Sequence, residues 1–188
     1  RQYGAYDSLR PFACRTGECD QHRKCELAEN GEGTIAYCDK CDFAANIEIA
    51  EASPVAVEDP HDTADVEKIA TPGIATIEDI CNFLNDKPEN SIKSVLMQAD
   101  DELIMVLVRG DREVNDVKVQ HVHPCLTIDM AEEDAIVSQI GAHPGSLGPV
   151  GLKNVKIYAD LELQGRTGLA CGANEDGYHY VHVDMARD

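Results

Sequence analysis

Two glycine-rich stretches in the C-terminal third of the sequence hold the residues best suited to chemistry. The first, Gly141–Val150, is GAHPGSLGPV, and the second, Gly172–His179, is GANEDGYH. Glycine has no Cβ, so a loop of this composition exposes backbone N–H groups to a ligand, and the second stretch also delivers a histidine. Neither stretch contains the GK[ST] of a P-loop or the G-x-G-x-x-G of a dinucleotide-binding turn. The sequence therefore predicts a ligand-binding loop of another kind.

Three further side chains add charge or acid–base capacity, and each has a purely structural alternative. Lys93 lies in a mostly apolar run, so it is either a cation directed at a ligand or a surface lysine whose stem covers apolar neighbours. Asp160 follows a predicted strand and either binds a ligand amino group or caps a turn. His179 shares the parity of Val181 and Val183 and so faces the apolar side. A histidine there is more often a hydrogen-bonded core residue than a catalytic base.

The first quarter of the chain offers a different chemistry, metal binding. Five of the eight cysteines lie there: Cys14, Cys19, Cys25, Cys38 and Cys41. The last two form a C-x-x-C pair, and two of the others would complete a four-sulfur zinc site, although the first spacing is long for a zinc ribbon. The cysteines are unevenly spaced and no secretory signal precedes them, which predicts a reduced, cytoplasmic setting rather than disulfides.

Composition places the chain among globular proteins of one domain, or of one domain with an appendage. It has 188 residues, 43% hydrophobic and 27% charged, and no apolar run reaches the roughly 18 residues needed to cross a bilayer. The net charge of −19 argues against gripping a nucleic-acid duplex by bulk electrostatics, because phosphate contacts need basic residues. The chain begins at Arg1 rather than Met, so we expect it to be cut from a longer product.

The periodicity of apolar residues predicts an α+β domain. Thr76 is a helix N-cap with Asp79 at the capping-box position, and a later helix is expected to end at Gly141. The predicted strands are Ile92–Ala99, Leu103–Arg109, Val155–Tyr158 and His179–Met185, of which the first two form a hairpin. This mixture indicates a mixed, curled β-sheet with helices packed outside.

Three zones divide the chain. Residues 1–50 contain the cysteine cluster, residues 51–70 are acidic with two prolines and resemble a linker, and residues 71–188 carry the regular periodicity of a folded domain.

Five blocks of the third zone, in order, resemble the editing (insertion) domain of bacterial-type prolyl-tRNA synthetases, in the YbaK-like aminoacyl-tRNA deacylase superfamily. They are TPGIATIEDI (Thr71–Ile80), SIKSVLMQAD (Ser91–Asp100), LVRGDREVNDVK (Leu107–Lys118), HPGSLGPVGL (His143–Leu152) and GANEDGYH (Gly172–His179). Upstream, Gly31–Glu51 resembles the piece of the synthetase catalytic domain that precedes the insertion, whereas residues 1–30 match poorly. The resemblance makes residues 1–50 a remnant of that catalytic domain.

The resemblance implies hydrolysis of the ester in mischarged Ala-tRNA(Pro). A proline activation site cannot strongly reject alanine, since a missing methylene gives only about 1–3 kcal/mol of discrimination, so a second pocket removes the error. In this family the Gly-x-x-x-Pro loop binds the aminoacyl ester or terminal ribose; here it is Gly145, Ser146, Leu147, Gly148 and Pro149. By the same resemblance Lys93 lies near the terminal nucleotide, Asp160 binds the substrate α-amino group and His179 limits the alanine pocket. The substrate's own ribose hydroxyl then activates water.

The resemblance also sets expectations about cofactors and partners. Editing needs no metal or organic cofactor, and ATP and Mg²⁺ serve only the parent synthetase, which is expected to be a homodimer. The partners are the acceptor end of tRNA(Pro) carrying alanine and the rest of the synthetase in cis, with no membrane. Aminoacylation by this chain alone is not expected, because the class II signature motifs are not recognisable as a set.

Two alternatives remain at the level of sequence. One is a zinc-stabilised binding module whose acidic surface docks a basic protein, and metal analysis would distinguish it. The other is a freestanding deacylase of the same superfamily that acts on another mischarged tRNA.

Overall fold

The computed structural model describes residues 10–13, 26–27, 33–37, 44–48, 50 and 59–188. The chain divides into two units, Arg1–Ser53 and Pro54–Asp188. In the first unit, four short antiparallel strands form a sheet in the order β2-β1-β3-β4. These strands are β1 (Arg10–Ala13), β2 (Glu26–Leu27), β3 (Gly33–Tyr37) and β4 (Ala44–Asn46). The five N-terminal cysteines, and with them the predicted zinc ligands Cys14, Cys19, Cys38 and Cys41, lie outside the described residues.

The second unit contains seven strands and three α-helices in its described part, residues 59–188. The strands are β5 (Glu67–Ala70), β6 (Ile92–Ala99), β7 (Glu102–Arg109), β8 (Ile128–Met130), β9 (Lys156–Ala159), β10 (Leu169–Gly172) and β11 (Tyr178–Val183). The helices are α1 (Ile77–Leu84), α2 (Asp116–Val122) and α3 (Glu133–Ile140), and short 3-10 turns span Pro88–Asn90 and Leu161–Leu163. The predicted α+β class is confirmed.

The long hairpin β6–β7 organises this unit. Its eight residue pairs run without a break from Ile92 opposite Arg109 to Ala99 opposite Glu102. Strand β8 pairs antiparallel with β6, and β9 pairs parallel with β7, which makes a mixed sheet in the order β8-β6-β7-β9. A second sheet, β10-β11-β5, joins the first through a parallel bridge between Ser91 and Ala170. That bridge brings β10 beside the start of β6.

The two faces of the hairpin bury separate apolar clusters. On one face Ile92 and Leu96 of β6 pack with Met105 and Leu107 of β7, and α3 contributes Ile136. The opposite face buries Met97, Ala99, Ile104, Val106 and Val108 against Val119 of α2. Side chains on a strand alternate between faces, and the even positions of β6 therefore belong to the first cluster. As predicted, helices cover the sheet.

Local capping signals set the helix ends that the sequence predicts. The Thr76 hydroxyl accepts a hydrogen bond from the Asp79 N–H at 3.1 Å, which satisfies one of the free donors in the first turn of α1. Gly141 ends α3 with φ +91°, a left-handed conformation that glycine adopts without strain.

The structure differs from the sequence prediction in two places. The last part of the predicted linker, Glu67–Ala70, is strand β5, because β11 offers it a free edge to pair with. Earlier in the same segment, the Asp59 carboxylate accepts a hydrogen bond from the Thr167 N–H at 2.9 Å. In β11, a register shift opposite β10 and a positive φ of 60° at His182 interrupt the alternation predicted over His179–Met185.

Across the described ranges, the structure contains no helix long and apolar enough to span a membrane.

The 3-10 turn Leu161–Leu163 provides a matched pair for testing the core. Leu163 is fully buried in the first cluster, whereas Leu161 in the same turn is 67% exposed. We expect Leu163→Ala to lower the free energy of unfolding by about 2–5 kcal/mol, because it leaves a cavity. Leu161→Ala should change it by less than about 0.5 kcal/mol. Urea unfolding of both variants measures the difference, and equal effects would contradict this packing.

Candidate active site

A pocket of about 360 Å³ opens between β6, the start of α1, the glycine-rich loop and the β10–β11 hairpin. Four of the residues predicted for the site line it: Lys93, Gly145, Leu147 and His179. Its described lining also includes Thr76, Ser91, Ser94 and Cys171, and it contains no aspartate or glutamate. The pocket is therefore a mostly apolar cleft with a few polar side chains, as is usual for small-ligand sites.

Where the glycine-rich loop meets β10, the two backbones touch directly, with no side chain between them. A Cβ placed on Gly148 would lie 1.9 Å from the carbonyl oxygen of Gly172, and one on Gly172 would lie 2.2 Å from the carbonyl carbon of Ser146. Gly145 has φ +96°, and a Cβ there would lie 2.5 Å from the carbonyl oxygen of Ala75. These three positions thus need glycine for space, and Gly145 needs it for its backbone conformation as well.

Asn174 clamps the loop in this position. Its side-chain oxygen accepts the Gly148 N–H at 2.9 Å, and its side-chain NH₂ donates to the Gly148 carbonyl, also at 2.9 Å. Its own N–H donates to the Ser146 carbonyl at 2.8 Å. Asn174 has φ +54°, which asparagine tolerates better than most residues. One amide side chain therefore satisfies both backbone groups of Gly148.

A second clamp holds the loop's N-terminal side. The Asp176 carboxylate accepts the His143 N–H at 2.8 Å and hydrogen-bonds with the His143 ring Nδ1 at 2.5 Å. The hydrogen bond with Asp176 raises the pKa of His143, and the bonds from His143 lower the pKa of the Asp176 carboxyl. His143 thus secures the loop from outside the pocket, since it is exposed and does not line the cavity.

The hydrogen bonds inside the loop limit which of its N–H groups face a ligand. The Ser146 N–H donates to the His143 carbonyl at 3.1 Å, and the Gly148 N–H donates to Asn174. Pro149 has no N–H and lines a different cavity. Of the five predicted loop residues, Gly145 and Leu147 therefore reach the pocket, whereas Ser146, Gly148 and Pro149 shape the loop.

His179 is a buried wall of the pocket. It is 4% exposed, and its Nδ1 lies 2.6 Å from the hydroxyl oxygen of the fully buried Thr71. Burial lowers the pKa of His179, and a hydrogen bond between its imidazole and the Gly145 backbone acts in the opposite direction. The ring is therefore held neutral between two partners, an arrangement that suits a fixed wall better than a base that must exchange protons.

Lys93 lies at the start of β6, where its side chain shares the face of Met97 and Ala99. Its ammonium group forms an ion pair of 2.6 Å with Glu113, whose side chain is 87% exposed. An ion pair this exposed contributes at most about 1 kcal/mol to stability, so an anionic ligand can displace Glu113 readily.

Asp160 does not line this pocket. It is exposed, and its carboxylate accepts the Glu162 N–H at 2.8 Å to cap the 3-10 turn Leu161–Leu163. The structure therefore shows the capping role, and the contact with a substrate amino group stays a prediction.

The remaining polar side chains of the pocket lack a strong nucleophile. Burial raises the pKa of the Cys171 thiol to about 12, so it stays protonated and unreactive near neutral pH. In the parts of the chain that the structure describes, no group of three or more His, Cys, Asp or Glu side chains could hold a metal ion.

Sequence reasoning missed two residues of this site, Ser94 and Asn174. Ser94 follows Lys93 and is the one polar residue at an even position of β6 between Ile92 and Leu96. That break in an apolar face was a readable signal. Asn174 lies in a turn whose composition predicts only a turn, so its role depends on a contact with a loop 26 residues away.

Comparison with known proteins identifies the family of this chain as that of aminoacyl-tRNA editing domains. A sequence model of that family matches residues 71–186, more than half of the chain, and the chain belongs to this family. It is 47% identical over 186 residues to the proline–tRNA ligase of Bacillus pumilus, covering 96% of this chain and 33% of that protein. It is 44% identical over 172 residues to the proline–tRNA ligase of Heliobacterium modesticaldum, covering 92% of this chain and 30% of that protein.

A solved structure shares the fold. It is described as a "putative trans-editing enzyme for prolyl tRNA synthetase", with a TM-score of 0.56 and 15% identity over 63% of this chain and 76% of that one. The chain spans about a third of the length of the proline–tRNA ligases that it matches. The predicted resemblance to the editing domain of prolyl-tRNA synthetases is confirmed.

Two substitutions of Asn174 separate the contribution of its side-chain amide from that of its left-handed backbone conformation. Asn174→Gly keeps the left-handed conformation but leaves Gly148 without partners, so we expect the free energy of unfolding to fall by about 1–3 kcal/mol. Asn174→Ala adds the strain of a positive φ, about 1–2 kcal/mol more. Urea denaturation measures both. A glycine variant as stable as the parent would show that the amide does not hold the loop.

Proposed function

We propose that this chain is an editing domain of a prolyl-tRNA synthetase and hydrolyses the ester of mischarged Ala-tRNA(Pro). The observation that carries the proposal is the pocket in which Gly145 and Leu147 of the loop meet the buried His179 and the strand of Lys93. The similarity to proline–tRNA ligases over nearly the whole chain supports the choice of amino acid and tRNA.

The proposed reaction is attack of water on the ester carbonyl. His179 has a lowered pKa and two hydrogen-bond partners, Cys171 is protonated, and the described lining has no carboxylate. None of these groups is suited to act as the general base, which leaves the free ribose hydroxyl of the substrate to orient the water. The loop and Lys93 then act by placing the ester and the terminal nucleotide.

The domain organisation and partners follow from the same proposal. Residues 1–50 would belong to the neighbouring catalytic domain and residues 71–188 to the editing domain, which needs no cofactor of its own. The tRNA acceptor end would enter the pocket while other parts of a homodimeric, cytoplasmic synthetase hold the rest of the tRNA. With a net charge of −19, the chain has little basic surface to hold it alone.

A deacylation assay with Ala-tRNA(Pro) and Pro-tRNA(Pro) tests the function directly. We expect the alanyl ester to be hydrolysed and the prolyl ester to be spared. Equal hydrolysis of both esters would contradict the specificity, and hydrolysis of neither would contradict the function. Preferential hydrolysis of another mischarged tRNA would favour the freestanding deacylase.

Lys93→Ala should slow deacylation of Ala-tRNA(Pro) by roughly 10- to 100-fold, the usual effect of losing a charged hydrogen bond to an anionic group. Its melting temperature should hardly change, because the partner of the lysine among the described residues is the exposed Glu113. The matched control is Lys156→Ala, which removes a similar exposed ion pair, 2.9 Å from Glu102, outside this pocket. Equal rates in the two variants would remove Lys93 from the site.

His179→Ala should change which ester is hydrolysed. The enlarged pocket should let the prolyl ester react, while alanine hydrolysis falls by up to about 100-fold because a carbonyl misplaced by about 1 Å reacts poorly. The variant also leaves the Thr71 hydroxyl unpaired, so unfolding must be measured beside the two rates. His182→Ala, on the same strand but outside the pocket, is the control. Uniformly lower rates with an unchanged ratio would make His179 a catalyst instead of a wall.

A further inference from the structure

Ser94 lines the pocket, and its hydroxyl has no hydrogen-bond partner among the described residues. It lies opposite Leu107 on the face of β6 that carries Ile92 and Leu96, and it lines the pocket. Its Oγ is shielded from solvent and has no partner among the residues that the structure describes. A buried hydroxyl in this state destabilises the fold relative to an apolar side chain of the same size.

The other hydroxyls of the pocket are already engaged. Thr76 accepts the Asp79 N–H and donates to the Asp79 carboxylate at 2.7 Å. The Ser91 hydroxyl lies 3.8 Å from the Cys81 sulfur, a weak but present partner. Among the described lining residues, Ser94 is therefore the one whose buried hydroxyl makes no hydrogen bond.

An aminoacyl ester needs an acceptor in this pocket. Its α-amino group is a donor, and the residue predicted to receive it, Asp160, lies outside the cavity and caps a turn. No carboxylate lines the described part of the pocket, so it is built for an uncharged amine. An α-amino group with a pKa of about 7.7–8.0 in water readily becomes neutral in such surroundings.

We infer that the Ser94 hydroxyl is the acceptor that binds the α-amino group of the substrate. This inference rests on the proposed function and adds to it the recognition of the amino group. Ser94 as a whole is only partly buried, and a rotation about its Cα–Cβ bond moves the hydroxyl between staggered positions. The hydroxyl turns toward the substrate when the ester enters and is unpaired when the pocket is empty.

The test compares two esters of the same tRNA, alanyl and propionyl, which differ only in the α-amino group. With the full chain, Ser94→Ala should lower kcat/KM for the alanyl ester by roughly 3- to 10-fold, the usual net effect of one hydrogen bond. The propionyl ester should react as fast as with the parent chain. Equal losses on both esters would place Ser94 at the carbonyl or in the scaffold, and no loss on either would show that it binds nothing; both outcomes overturn the inference.

Two controls make the result specific. The melting temperature of Ser94→Ala should be unchanged or higher, because the substitution removes an unpaired buried hydroxyl; a large decrease would indicate a structural partner and overturn the inference. Ser91→Ala, in the same pocket but with a partnered hydroxyl, should change the rates for both esters by the same factor. A loss confined to the alanyl ester in Ser91→Ala alone would assign the amino group to Ser91.

Binding measurements separate this inference from the proposed function. The probes are 3′-alanylamido- and 3′-propionylamido-adenosine, which cannot be hydrolysed at the ester position. Wild type should bind the alanyl compound more tightly, and Ser94→Ala should abolish the difference. If wild type hydrolyses neither ester, the proposed function fails, while these affinities still decide the role of Ser94. Equal binding of the two compounds by wild type overturns the inference.

Discussion

The site depends on the close approach of two backbones, at Gly148 and Gly172. Neither position has room for a Cβ, since each would lie within 2.2 Å of the opposite main chain. Such contact buries backbone groups that must be hydrogen-bonded, and the Asn174 amide supplies partners for both groups of Gly148. Because the loop is held there, Gly145 and Leu147 line the same pocket as His179. Steric exclusion and one amide thus fix the position of the loop that lines the pocket.

The charge of the pocket contrasts with the charge of the chain. The sequence has 35 acidic and 16 basic residues, yet the described lining includes the basic residue Lys93 and no carboxylate. An acidic surface repels the phosphates of RNA at long range, whereas a carboxylate-free pocket adds no such repulsion at short range. Binding of a tRNA end by this unit would therefore depend on local contacts in the pocket more than on the overall field.

The polar groups of the pocket differ in how completely they are satisfied, and this separates scaffold from ligand contacts. His179 is fixed between Thr71 and the Gly145 backbone, so its position resists change. Ser94 has an unpaired hydroxyl, and Lys93 pairs with a highly exposed glutamate. The Ser94 hydroxyl and the Lys93 ammonium group can therefore bind a ligand with little loss of interactions within the protein. Rigid walls with a few open polar groups are what preorganised recognition requires.

The sequence by itself determined the features whose physics is local. The Thr76 cap, the Gly141 helix end, the β6–β7 hairpin and the glycine-rich loop each depend on neighbouring residues, and each was predicted. Only the tertiary structure decided which side chains share the pocket. Asp160 caps a nearby turn and does not line the pocket, whereas Ser94 lies on the face of β6 that carries Ile92 and lines it. Asn174 acquired its role through a contact with a distant loop, and β5 formed because β11 provided an edge. Such pairings depend on residues far apart in the chain, which local propensity does not encode.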